Sequence, residues 1–185
     1  SQTGLERAGV AVLLQQSRGL RPSEVISLTP KSVVLPGDGV YNAGLLILKM
    51  GSRTKSGRPE SVRLDPVENA LEISLLRWLR SCTPNNQKMF GGLTVQSYRN
   101  IIAKACSKLC LPTYAAHSGR AGFVTDAALN GMSYTDIMQV TRHSHLKSLM
   151  VYCDIVSAVS QAHSGNVALR AMVSKHITQK PGEYW

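Results

Sequence analysis

Residues 18–28 read R-G-L-R-P-S-E-V-I-S-L, and this stretch organises what lies on either side of it. Gly19 is a helix stop. Pro22-Ser23-Glu24 is a helix start, because proline lacks the amide that a first turn leaves unpaired and a carboxylate is favoured at the positive helix end. Arg21 sits at the junction. Upstream, Leu5, Ala8, Val12 and Leu13 are spaced for one face of a helix from about Thr3 to Ser17. Downstream the period changes. Ser32 to Leu35, Gly44 to Met50 and Ser61 to Leu64 are runs rich in β-branched or apolar residues, separated by Pro36-Gly37-Asp38-Gly39 and by Gly51 and Gly57. They predict a small antiparallel sheet whose last hairpin carries Arg53, Lys55 and Arg58 at its tip.

Helices resume at Asp65-Pro66, read as an N-cap with proline in the first helical position, and run to about Ser81. A polar loop reaches Gly92, and Thr94 caps a helix ending near Leu109. Further helices are expected at about Ser118–Leu129, Tyr134–Val140, Leu146–Ser157 and Asn166–His176. Asn130-Gly131 ends one of them, and Ser133 with Asp136 resembles a capping box for the next. The expected fold is mainly α with a small antiparallel β-sheet, an α+β class. Residues 1–159 form one unit and 160–185 a C-terminal tail.

The 185 residues are enough for one domain with a hydrophobic core, and they carry a formal charge of +10. Such a balance suits a polyanion, since each Lys or Arg placed on a phosphate releases condensed counterions. No acidic residue falls between Glu72 and Asp126, whereas Arg77, Arg80, Lys88, Arg99, Lys104, Lys108 and Arg120 all do. No apolar run approaches the roughly 18–20 residues of a membrane span, and no amphipathic basic helix stands apart as a lipid binder. No cationic start precedes an apolar core, as a signal peptide would require, and the absence of an initial Met points to a fragment. Cys82, Cys106, Cys110 and Cys153 form no C-x-x-C pair and no zinc pattern. They read as reduced, mostly buried thiols of an intracellular protein.

Arg21 at a helix start, Lys55 on a hairpin tip, and His117 with Arg120 one turn apart each have an ordinary structural reading. So do His143, as a core histidine, and Tyr152, as an aromatic anchor. Their order and spacing together are less ordinary. Arg18 to Leu28 resembles the first arginine box of the tyrosine recombinase and phage integrase family. Gly51-Ser52-Arg53-Thr54-Lys55-Ser56-Gly57 resembles the hairpin that presents that family's lysine. His117-Ser118-Gly119-Arg120 matches its H-x-x-R box. Gly131 to Tyr152 resembles its last segment, with a histidine nine residues before the tyrosine. From His117 onward the likeness is greatest to the Cre branch.

The resemblance implies a catalytic domain for site-specific DNA recombination or integration, at DNA in nucleus or nucleoid, in a mobile element, phage or plasmid-like system. Tyr152 would attack a phosphodiester and become a 3′-phosphotyrosine, which a 5′ hydroxyl then resolves. Charge that builds on the non-bridging oxygens suits two guanidinium forks, Arg21 and Arg120. His117 and His143 would hydrogen-bond the phosphate, with His117 also able to take the tyrosine proton. Lys55 would protonate the leaving oxygen, and Glu24 would orient the helix start and Arg21, or simply complement the helix end. No cofactor, metal, ATP or small-molecule substrate is implied; double-stranded DNA is the partner, with self-association into a dimer or tetramer on it. Ser160 to His176 resembles the segment with which relatives pack on a neighbouring protomer. The family's N-terminal helical domain has no counterpart here, so weaker DNA binding is expected.

Two departures stand out. Thr141-Arg142 precede His143 where the family usually has Leu-Gly, which leaves His145 as a fallback, and Cys153 follows Tyr152 where an aromatic or histidine is common. A type IB topoisomerase, a telomere-resolving enzyme and a non-catalytic DNA-binding domain are the alternatives. The histidine of the H-x-x-R box favours a recombinase over the topoisomerase.

Overall fold

The computed structural model describes residues 4–48, 60–143, 146, 149 and 150. The elements run α1 (Gly4–Arg18), α2 (Pro22–Ile26), β1 (Val33–Val34), β2 (Gly44–Leu48), β3 (Glu60–Leu64), α3 (Ala70–Ser81), α4 (Val95–Lys108), α5 (Ser118–Leu129) and α6 (Tyr134–Thr141). This is the mainly helical fold with a small antiparallel sheet that the sequence predicts. The chain divides into two compact units, one running to Phe123 and the other starting at Val124.

In the first unit, α1 packs against α2, α3 and α4. Its buried residues are Ala8, Val10, Ala11, Leu14 and Gln15. The expected stripe of Leu5, Ala8, Val12 and Leu13 is therefore rotated. Leu5 and Val12, with Gly9 and Gln16, line an open apolar groove of about 700 Å³ shared with Ile101, Ala105, Tyr114 and Gly119. Helix α1 carries apolar residues on two faces: one is buried in the core, and the other lines the groove while touching the core's margin through Val12.

The sheet has the order β1-β2-β3, antiparallel throughout. Leu46 lies opposite Val33 on one side and Val62 on the other, and all three are buried. Alternation along β2 and β3 puts Gly44, Leu46, Leu48, Val62 and Leu64 on the same inner face. Lys55 belongs to the stretch joining β2 to β3 and lies outside the described residues, as do the helices expected beyond Met150.

Helix α3 starts four residues later than Asp65-Pro66 predicts. Asp65 Oδ1 accepts from the amides of Val67 and Glu68, and Asn69 Oδ1 accepts from the amide of Asp65. Those bonds close a separate turn, so Asn69 rather than Asp65 becomes the N-cap. The loop read as polar contains Met89 and Phe90, both fully buried; the Met89 amide donates to the Leu28 carbonyl, and Arg7 donates to the Met89 carbonyl. The thiols also depart from expectation. Cys106 is buried, but Cys82 and Cys110 are exposed, and Cys153 lies outside the described residues. Helix α4 ends at Lys108, so Cys110 never joins the face that Cys106 occupies.

Two members of the basic stretch hold the turn after β1. Arg77 donates to the Pro36 carbonyl; Arg80 donates to the Val33 carbonyl and pairs through both guanidinium nitrogens with Asp38. Those bonds and the Leu35 amide hold the Asp38 carboxyl well below the usual carboxylate range. A depressed carboxylate stabilises the fold above its unfolded value of about 3.9 and loses that contribution as pH falls toward the folded value. Asp38→Asn is expected to lower Tm by about 1–3 °C at pH 7, a modest figure because the pair is part-exposed. Thermal melts across pH should show the two proteins converging below about pH 4.

Candidate active site

Three of the predicted site residues come together in the first unit. Gly19, with φ +63°, ends α1 by donating to the Gln15 carbonyl, and Arg21 then occupies the N-cap of α2. The Glu24 carboxylate folds back on that position. One oxygen accepts from the Arg21 amide at 2.6 Å, and the other pairs with the Arg21 guanidinium at 2.9 Å. Glu24 thus does both things read for it, complementing the helix start and orienting the arginine.

His117 opens α5: its carbonyl accepts the first helical bond, from Ala121. Arg120 lies one turn in, only 4% exposed, and donates from Nη1 to the Gly19 carbonyl at 2.7 Å. That bond fastens the H-x-x-R turn to the loop that delivers Arg21. The His117 side chain is open to solvent at the residue level, yet the protein around its ring still disfavours the imidazolium. Desolvation is the largest cause, and the positive charges of Arg120 and Arg21 add to it, so the imidazole is held below its ordinary range. That lowering favours the neutral ring, which is able to accept a proton.

Gly119 explains how α5 gets so close to α1. A Cβ there would lie 2.9 Å from the Gln15 Cβ and 3.1 Å from the Val12 carbonyl oxygen. Gln15 itself is fully buried. Its Nε2 donates to the Ala116 carbonyl at 3.0 Å, and its Oε1 accepts from the Tyr98 hydroxyl at 2.5 Å. Burial pushes the Tyr98 phenol above the ordinary tyrosine range, so it serves as a neutral donor. Gln15 and Tyr98 form a support that the sequence reading missed. The available signal was a glutamine directly after Leu14 in an otherwise apolar face.

His143 belongs to the second unit. Helices α5 and α6 end there in the same hydrogen-bond pattern. Met132 donates to the Ala127 carbonyl and Gly131 to that of Ala128; His143 donates to the Met138 carbonyl and Arg142 to that of Gln139. The residue that must turn left-handed is Gly131 in the first case, at φ +83°, and Arg142 in the second, at φ +57°. An arginine there costs about 1–2 kcal/mol relative to glycine. The Ser133 hydroxyl accepts from the Asp136 amide at the start of α6, which is the N-cap half of the expected capping box, and donates to the Asp136 carboxylate at 2.6 Å. Tyr152 and the fallback His145 lie outside the described residues, as Lys55 does.

No protein-family model matches the chain, and no curated protein sequence matches it. Solved structures do. A XerH site-specific recombinase in a post-cleavage complex with palindromic difH substrate aligns over 89% of this chain and 47% of its own, at TM-score 0.64 and 16% identity. A XerA recombinase aligns over 92% and 62%, at TM-score 0.57 and 16% identity. The Tn1549 transposon integrase with circular intermediate DNA aligns over 79% and 53%, at TM-score 0.55 and 18% identity. The chain therefore has the tyrosine recombinase catalytic-domain fold and spans about half the length of the first of these proteins. Nothing among them singles out the Cre branch.

Two measurements check this site. Gly119→Ala is expected to cost about 1–3 kcal/mol by overpacking, or several degrees of Tm, and to shift the His117 and Arg120 resonances together. Arg21→Gln should move the His117 titration midpoint upward, read by NMR of its ring protons, because one positive neighbour is removed.

Proposed function

We propose that this chain is the catalytic domain of a site-specific DNA recombinase or integrase. The observation that carries the reading is the convergence of Arg21, His117 and Arg120 around the Gly19 turn. It occurs on a fold shared with solved recombinases that act on DNA. Two guanidiniums beside a neutral imidazole suit a phosphodiester whose non-bridging oxygens gain charge in the transition state.

In this proposal Tyr152 attacks phosphorus and becomes a 3′-phosphotyrosine. Arg21 and Arg120 hold the non-bridging oxygens, and Glu24 keeps Arg21 at its angle. His117 and His143 hydrogen-bond the phosphate, and neutral His117 can also take the tyrosine proton. Lys55 protonates the leaving 5′ oxygen, which a partner strand's 5′ hydroxyl later replaces to rejoin the DNA. The charge that a metal would supply in other phosphoryl enzymes comes here from the arginines. Double-stranded DNA is the substrate, and protomers assemble on it through the tail from Ser160.

The test is a nicked, labelled duplex that loses a short fragment on cleavage and so traps the covalent adduct. The native site, with the full-length protein in EDTA, should give adduct from the wild type and none from Tyr152→Phe. Arg120→Gln should lower the adduct-forming rate on the order of a hundred- to a thousand-fold. Absence of adduct from the wild type under those conditions defeats the proposal. Relaxation of supercoils without site preference would move the assignment to a topoisomerase.

A further inference from the structure

Leu5, Gly9, Val12 and Gln16 follow one another along α1 at steps of four, three and four. They therefore share one face of the helix over about three turns, or roughly 16 Å. Helix α4 supplies the other wall of the apolar groove through Ile101, Ala105 and its C-cap Leu109, each one turn from the next. Four large apolar side chains of the lining stay in contact with water: Leu5 is 50% exposed, Leu109 67%, Leu111 50% and Tyr114 48%. Between such side chains the furrow is open at Gly9, where a Cβ would meet nothing within 4 Å. Large apolar groups gathered around one concavity mark a surface built to be covered.

The polar groups that reach the floor are already bonded within the protein. Gln15 donates to the Ala116 carbonyl and accepts from the Tyr98 hydroxyl, and the Ser118 hydroxyl accepts from the Ala115 amide. An occupant that brought polar atoms here would leave them unpaired, so it must present an apolar surface. That requirement sets DNA aside. Charge lies at the rim instead. Lys108 lines the groove, and Lys104, one turn earlier on the same side of α4, is exposed. No acidic side chain is among the described lining residues, and Glu6, the one acid of α1, is not one of them.

A cationic rim is complemented by carboxylates. A second copy of this chain, at a formal +10, brings like charge to that rim. The segment 160–185 does the same, with Arg170, Lys175 and Lys180 against Glu183 as its one acid. A straight furrow about three turns long between two helices has the shape that a third helix fills with residues spaced i, i+4, i+7 and i+11. We propose that this groove takes a short amphipathic helix from another protein, apolar along one face and acidic along its flank. The docking follows from the groove alone and does not rest on the recombinase reading. Because Ser118 and Gly119 belong to the lining, the bound helix lies against the back of the H-x-x-R turn.

The probe is a fluorescent, stapled helical peptide of about fourteen residues, with leucines on one face and glutamates beside them. Its twin carries lysines in place of the glutamates. Anisotropy titrations with the 185-residue chain should show the acidic peptide binding about threefold to tenfold more tightly, with the difference shrinking as salt is raised. Binding should shift the amide signals of Gly9, Ala105 and Gly119. Gly9→Phe fills the open stretch and should weaken binding at least tenfold. Lys108→Glu should turn the preference toward the lysine peptide, and this exposed change keeps the test in force should Gly9→Phe melt early.

No binding by the acidic peptide, equal binding of the two at low salt, or a preference unchanged in Lys108→Glu overturns the proposal. So does binding that survives in folded Gly9→Phe. A peptide of residues 160–185 that binds more tightly than the acidic probe gives the groove to the chain's own tail. A dimer on a calibrated column that Gly9→Phe dissolves gives it to a second copy. Either result overturns the assignment to another protein.

Discussion

The close approach of α5 to α1 at Gly119 is the constraint from which the first unit's site follows. With no side chain at that position, Gln15 can reach the carbonyl just before His117, and Arg120 can reach the carbonyl of Gly19. Those two bonds tie residues about a hundred positions apart in sequence, and both are buried. An unsatisfied buried donor or acceptor costs on the order of 1–3 kcal/mol, so neither bond is easily given up. The arginine box and the H-x-x-R box consequently meet because the backbone itself is tied at the Gly19 turn, before any ligand enters.

Positive charge in this protein serves two purposes that the sequence runs together. Arg77 and Arg80 belong to the long stretch without acids, yet both hold the turn after β1, with Asp38 neutralising one of them. Arg120, from the same stretch, is nearly buried and bonded to a carbonyl, and Arg21 is partnered by Glu24. A concentration of cations along the chain is therefore a poor guide to a phosphate-facing surface. What distinguishes Arg21 and Arg120 is that both act on the same imidazole.

The second unit shows how a backbone requirement outlives the residue best suited to it. The turn that ends α6 repeats the one that ends α5, and only the first has glycine at its left-handed position. Paired amides and carbonyls at the helix end, together with the buried Thr141, keep the turn in place with arginine there. The left-handed position before His143 is thus taken by an arginine, at φ +57°.

Local physics was legible in the sequence: the stop at Gly19, the start at Pro22, the caps at Thr94 and Ser133, and the antiparallel sheet all follow from interactions among neighbours. So did the spacing that singled out Arg21, His117, Arg120 and His143, although what each touches did not. The same local logic misplaced the start of α3, where Asp65 caps a separate turn, and the buried stripe of α1, where two apolar faces compete for one core. Only the tertiary structure decided that Gln15 and Tyr98 support the H-x-x-R turn and that Gly119 is there for contact rather than for a turn. Each of these depends on atoms brought together by packing, and no periodicity encodes that.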